Sequence, residues 1–175
     1  MSWYNLDASN PLTYVTTGDI PAQWLRDSSH QFVPYLPLIP YDTTLRTLFL
    51  GVINLDARYI ADMPYCNAFV PPPESGLSLD GISNNVQITP PIDGTVYQCK
   101  WEIDSLASFL RLSWGYWEST NGDQSMITPN WLNAVQQIMK VLAQQSVPTI
   151  APDGSLNPQS YIYRPTSSRA VSIPL

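Results

Sequence analysis

Three stretches of the chain repeat apolar residues at the three-to-four spacing of a helix face. In the first, Leu45, Leu48, Phe49, Val52, Ile53 and Ile60 follow the capping candidates Asp42 and Thr43, with Asp56 as a lone acid on the same face. In the second, Ile103, Leu106, Ala107, Leu110, Trp114 and Trp117 make one apolar stripe, which Asn121-Gly122 ends. In the third, Thr128-Pro129 supplies an N-cap and a first helical residue, and Trp131, Leu132, Val135, Ile138, Met139 and Leu142 lie inside before Pro148 stops the run. Ahead of these, a helix is predicted from Pro21 to about Val33, because Pro34, Pro37 and Pro40 would each break an interior helical bond. Residues 1 to 20 read as an irregular arm ending in the turn-like Thr17-Gly18-Asp19.

From Asp62 to Gln98 the periodicity gives way to prolines, glycines and asparagines, the pattern of a long loop that is functional or disordered. Thr149 to Leu175 also lacks periodicity, and no convincing strand run or internal repeat is present. The pattern therefore predicts an all-α class, helical hairpins joined by alternately short and long connections. The 175 residues are enough for one domain with a real core, spanning 1 to 175.

Composition narrows the partners. Eight Lys and Arg stand against fourteen Asp and Glu, with no basic run to track a phosphate backbone, so nucleic acid is not an expected partner. The longest apolar stretch, Thr47 to Leu55, is far short of the roughly 20 residues of a spanning helix, so no membrane is expected and the chain is read as soluble. The two cysteines, Cys66 and Cys99, either pair or stay free, and no CxxC or Cys/His cluster exists to hold zinc. The amino-terminal stretch has neither a charged leader nor an apolar core of a signal peptide, which would mean the cytosol for a complete chain.

In a chain only 13% charged, two stretches concentrate charge among apolar residues. TGDIPAQWLRDSSHQ places Asp19, Arg26 and Asp27 around Trp24, and CKWEIDSL places Lys100, Glu102 and Asp104 at alternate positions around Trp101. One reading is a pair of structural ion-pair networks, such as Lys100 with Asp104 or Arg26 with a carboxylate. The other is a sugar site, in which charged groups serve the hydroxyls and Trp24 or Trp101 serves as the plate for a C–H face. Composition alone leaves both open. The single histidine, His30, has no Ser or Cys motif to partner it, GxSxG is absent, and Asp80 to Asn85 lacks the spaced carboxylates of a calcium loop.

The same two stretches resemble the paired signatures TGDIxAMWLRDSxxQ and KYEIDSL of glycoside hydrolase family 125, in the same order and across a long intervening loop. YIYRP, Tyr161 to Pro165, continues the likeness, which covers about residues 13 to 170. The resemblance implies an (α/α)6 barrel of six helical hairpins, of which this chain would form the N-terminal part. It also implies a metal-independent exo-α-1,6-mannosidase that releases terminal mannose with inversion, needs no cofactor and takes a mannose-containing oligosaccharide as partner. Carried over by motif, Asp19, Trp24, Arg26, Asp27, Lys100, Glu102 and Asp104 would lie at or beside the mannose pocket and grip the sugar.

Gln23 departs from the family's common Met, and Gln98 from its common Glu. The family's downstream segment of the form FRPSDDA, where its general acid is expected, has no counterpart before Leu175, and the base is expected later still. No residue here is therefore expected to be the catalytic acid or base, and the chain is expected to be truncated and inactive alone, its tail from Val171 reading through an intron. The rival readings are a non-catalytic mannose-binding or interaction module and a nonfunctional truncated product.

Overall fold

The computed structural model describes residues 2–7, 9–77, 86–89 and 96–165. The Asp80 to Asn85 stretch and the tail beyond Pro165 lie outside the described residues. In chain order the elements are β1 (Trp3–Asn5), β2 (Leu12–Tyr14), β3 (Gln23–Trp24), α1 (Leu25–Phe32), α2 (Thr43–Asp62), β4 (Ala68–Phe69), β5 (Val86–Thr89), β6 (Val96–Gln98), α3 (Ile103–Ser119), α4 (Pro129–Gln145) and β7 (Ile162–Pro165). Helix α2 packs on α4, α1 packs on α3, and α3 also meets α2. Their shared core is built from Leu25, Phe49, Val52, Ile53, Leu106, Phe109, Leu112, Ile138 and Val141.

Three helices begin and end where their signals lie. The Asp42 carboxylate accepts the Leu45 N–H at 2.9 Å and opens α2. The Thr128 hydroxyl accepts the Trp131 N–H at 3.2 Å and opens α4. Asn121 and Gly122 take positive φ values of 56° and 87° just past α3, where a left-handed residue lets the chain leave the helix.

The first helix differs from its prediction. It starts at Leu25 because Gln23 and Trp24 pair with β4, so sheet bonding claims the residues that Pro21 was expected to lead into a helix. Beyond Phe32 the chain tightens into a 3-10 segment, Val33–Leu38, which tolerates the prolines that would break an α-helix.

The expectation of an all-α chain is also corrected: the protein is largely helical, with small antiparallel sheets. β1 pairs with β2, β4 lies between β3 and β6, and β5 pairs with β7. Each strand has two to four residues, too few for an alternating pattern to register. Three strands, β4, β5 and β6, thus come from the stretch expected as loop. Strand β2 lies tightly on α2, because a Cβ at Gly51 would stand 2.9 Å from the Leu12 carbonyl carbon and the Thr13 nitrogen.

The apolar stripe of α3 does not all face inward. Leu106 is buried, but Trp114 and Ile103 are each 59% exposed, while the covered face carries Ser105, Ser108, Phe109, Leu112, Ser113 and Tyr116. Small serines admit the neighbouring helices there, leaving the bulky stripe outside. On α4, Leu132 and Met139 also face outward. The cysteines are joined, Cys66 to Cys99, beside the strands β4 and β6. Among the described residues no helix is long and apolar enough to cross a membrane.

Candidate functional site

The packing of α1 on α3 brings the two charged stretches together. Arg26 donates from Nη1 to Asp104 Oδ2 at 3.0 Å, and its Nη2 lies 3.4 Å from Asp27 Oδ2. The guanidinium pKa is raised, first by the bond to Asp104 and then by the charge of Asp27. These are not buried salt bridges: the Arg26, Asp27 and Asp104 side chains keep 41%, 42% and 51% of their exposure. They stand at the surface, reachable from solvent.

Beside them opens a cavity of about 220 Å³ lined by Thr17, Gly18, Asp19, Ile20, Trp24, Arg26 and Asp27. Four of the seven predicted residues therefore line it, and Asp104 reaches it through Arg26. A larger cavity of about 340 Å³ lies between α2 and the prolines at 71 to 73, and none of the predicted residues lines it. The smaller one is the candidate site because it joins carboxylates, a guanidinium and an indole in one concavity.

Lys100 and Glu102 sit one step away. Lys100 Nζ pairs with Glu102 Oε1 at 3.3 Å, so its partner is Glu102 and not the Asp104 considered from sequence. Their link to the first stretch is Asn67, which sequence reasoning missed. Its Nδ2 donates to Glu102 Oε2 at 3.2 Å and to Gln98 Oε1 at 3.0 Å, and its Oδ1 accepts the Lys100 N–H at 3.1 Å. Its carbonyl accepts the Leu25 N–H at 3.1 Å. One buried amide thus fastens the start of α1 to the approach of α3. Nothing in the local pattern flags an asparagine within YCNAF; the disulfide and β4–β6 pairing bring it there.

The two tryptophans also part ways. Trp24 lines the cavity and packs against Tyr97 with ring centroids 5.4 Å apart. Trp101 instead packs against Tyr65 and Tyr161 in the apolar core. Only Trp24 remains in place as a plate for a sugar face.

The family model described as metal-independent alpha-mannosidase (GH125) matches residues 2–173. The chain belongs to GH125. It is 50% identical over 148 residues to the meiotically up-regulated gene 157 protein of Schizosaccharomyces pombe, covering 84% of this chain and 29% of that protein. It also superposes, with a TM-score of 0.73 and 27% identity, on a metal-independent α-mannosidase of Streptococcus pneumoniae in a non-productive complex with α-1,6-mannobiose. That match covers 90% of this chain and 34% of the solved one. This GH125 chain thus spans about a third of the length of the relatives it matches.

Proposed function

We propose that this chain forms the sugar-gripping part of an exo-α-1,6-mannosidase that hydrolyses terminal mannose with inversion. The observation that carries the reading is the junction of Arg26 with Asp104 beside the cavity lined by Asp19, Trp24 and Asp27. Hexose hydroxyls take paired acceptors from Asp19 and Asp27 and a forked donor from Arg26. The indole of Trp24 offers an apolar face to the ring C–H groups. Asp104 keeps the guanidinium in place, and Lys100 with Glu102, tethered by Asn67, forms the adjoining wall.

Inversion requires one carboxyl group to protonate the leaving oxygen and another to activate water across the ring. We assign neither role within this chain. The relatives are about three times as long as the region matched, and our reading assigns both groups to sequence of the FRPSDDA type and beyond, which has no counterpart in these 175 residues. The same frame accounts for the apolar face of Ile103, Leu110 and Trp114 on α3, which an (α/α)6 barrel would cover with its further hairpins.

The test compares the purified 175-residue chain with the segment placed in a full-length gene, using α-1,6-mannobiose. The full-length protein should release mannose, and Arg26→Ala or Asp27→Ala should lower kcat/KM tenfold or more, about 1.4 kcal/mol or more of transition-state stabilisation. The chain alone should release none. Turnover by the chain alone would overturn the assignment of acid and base elsewhere. Sugar binding without hydrolysis by the full-length protein would make it a mannose-binding module, and unchanged kinetics in both variants would return the pair to a purely structural role.

A further inference from the structure

Behind the cavity wall lies an acid that the sugar site does not use. Asp56, on α2, is fully buried, as is Gln23 on β3. Gln23 Oε1 accepts the Val15 N–H at 2.7 Å, which turns its amide nitrogen the other way, and Nε2 donates to Asp56 Oδ1 at 2.7 Å. Among the described residues Asp56 Oδ2 has no hydrogen-bond partner. Nearby, the Tyr14 hydroxyl lies 3.0 Å from the Pro21 carbonyl and 3.1 Å from that of Phe69, so the entry to β3 is tied down from a second side. The residue after Gln23 is Trp24, and Arg26 follows two positions later.

We propose that Asp56 is a positioning residue for the candidate site: through Gln23 it holds β3, and with it Trp24, against α2, and it does so as a neutral acid. The proposal rests on the sugar-site reading for its consequence, though not for its geometry. A carboxylate in this place would have one donor, an empty second oxygen and, among the described residues, no cation beside it, which is costly away from water. Burial accordingly pushes the Asp56 carboxyl up to about 8, against the opposing pull of the Gln23 bond.

The titratable neighbours do not alter this. Tyr14 of β2 and Tyr59 of α2 are both driven above the ordinary tyrosine range, chiefly by burial, and stay neutral. Arg58 and Glu74 act on Tyr59 and pair with each other at 2.7 Å. Among the described residues, α1, α3, α4 and β1, which also pack on α2, contribute no charge acting on Asp56. Above pH 8 the acid must therefore ionise in place or draw in water; the Gln23 bond itself tightens on ionisation, and the disturbance comes from the charge on the unpartnered Oδ2, whose hydration parts the packed seam between α2 and β3 and reaches Trp24 through Gln23.

The experiment follows the indole NMR signal of Trp24 in the intact chain, assigned with Trp24→Phe, from pH 6 to 9.5. In the parent the signal should titrate with a midpoint near 8, and in Asp56→Asn that transition should vanish. In Gln23→Met the Asp56 carboxyl carbon should still titrate while Trp24 no longer follows it, a separation that general loosening of the fold would not produce. A Trp24 signal that ignores pH, that keeps its midpoint in Asp56→Asn, or that still follows Asp56 in Gln23→Met overturns the proposal. The Gln23 variant decides the matter if Asp56→Asn fails to fold.

Alongside, the Kd for α-1,6-mannobiose should rise threefold or more between pH 6.5 and 9 in the parent, and this rise should be absent in Asp56→Asn. If the parent binds no mannobiose yet Trp24 titrates as stated, the sugar reading fails and the positioning role stands. If mannobiose binds and the rise persists in Asp56→Asn, the positioning role fails and the sugar reading stands.

Discussion

Cys66 and Cys99 are joined across a separation of 33 residues, and breaking that closure should cost the chain a large share of its stability. In the chain-entropy model, a cross-link over that separation removes about 12 to 13 cal/mol/K from the unfolded ensemble, or about 3.7 kcal/mol at 25 °C. The loop contains β4, β5 and β6, and its prolines already restrict the unfolded chain, so the measured value should fall at or a little below that figure. Both cysteines are buried.

The assay is urea unfolding of the oxidised chain, the chain kept reduced, and the Cys66→Ala/Cys99→Ala double variant. With a slope of about 2 kcal/mol per M, the midpoint should drop by about 1.5 to 2 M in both altered forms. Asn67 and Lys100 each directly follow one of the two cysteines, so reduction should broaden the signals of these residues before global unfolding. Two titratable thiols in the unfolded, unreduced protein would refute the bond itself. An unchanged midpoint after verified reduction would refute the loop argument.

Gly51→Ala should destabilise by about 1 to 3 kcal/mol in the same assay, because its Cβ would press on the backbone of Leu12 and Thr13 where neither strand nor helix can yield. Asp56 keeps its proton in the folded state up to about pH 8 but loses it above about pH 4 when unfolded, so its contribution to stability is complete at low pH and declines as pH rises toward 8. At up to about 1.4 kcal/mol per pH unit, the parent should lose about 2 to 3 kcal/mol relative to Asp56→Asn between pH 5 and 7; parallel pH profiles would deny the neutral acid. Asp123 behaves oppositely: burial pushes it up, but Arg46 at 2.7 Å and the hydroxyls of Tyr116 and Ser125 outweigh that and hold its carboxyl well below the ordinary range. Its contribution is therefore present above about pH 4 and lost on acidification. Asp123→Asn should cost about 1 to 2 kcal/mol at pH 7, reduced by the partial exposure of Arg46, and should flatten the acid limb.

What the sequence made legible was whatever is decided within one turn of chain. The caps at Asp42 and Thr128 and the stop at Asn121-Gly122 are local hydrogen bonds and local φ values, and each stands where its residue type places it. The start of α1 was not legible, because Gln23 and Trp24 are committed by pairing with Ala68 and Phe69, more than forty positions away. The face of α3 was misread for a related reason: periodicity shows that a stripe is apolar, but not which of two candidate faces meets the neighbours at hand. Asp56 looked like a minor flaw in an apolar face, and its meaning depends on Gln23 and Val15, which arrive from other elements. For the site, the two motifs named the residues, while Asn67, which joins them, carries no signature of its own.

The exposure of the charged residues bears on why the chain concentrates them there. A buried network would have a structural justification, since losing one partner strands the other in a dry interior. Arg26, Asp27 and Asp104 are about half exposed, where such pairs contribute roughly 0 to 1 kcal/mol and weaken further with salt. Stability gives little reason to gather them beside Trp24 in a chain that is 44% hydrophobic and 13% charged. The structure nevertheless invests in their placement through Asn67, the disulfide, the tyrosine tie at Pro21 and the Gln23–Asp56 bond, all of which converge on the segments that carry them. A rigid backing behind half-exposed charges costs folding freedom and returns little to the fold. It does serve a ligand whose hydroxyls must meet donors and acceptors already in position, because side chains held in place before binding lose less entropy when the sugar arrives.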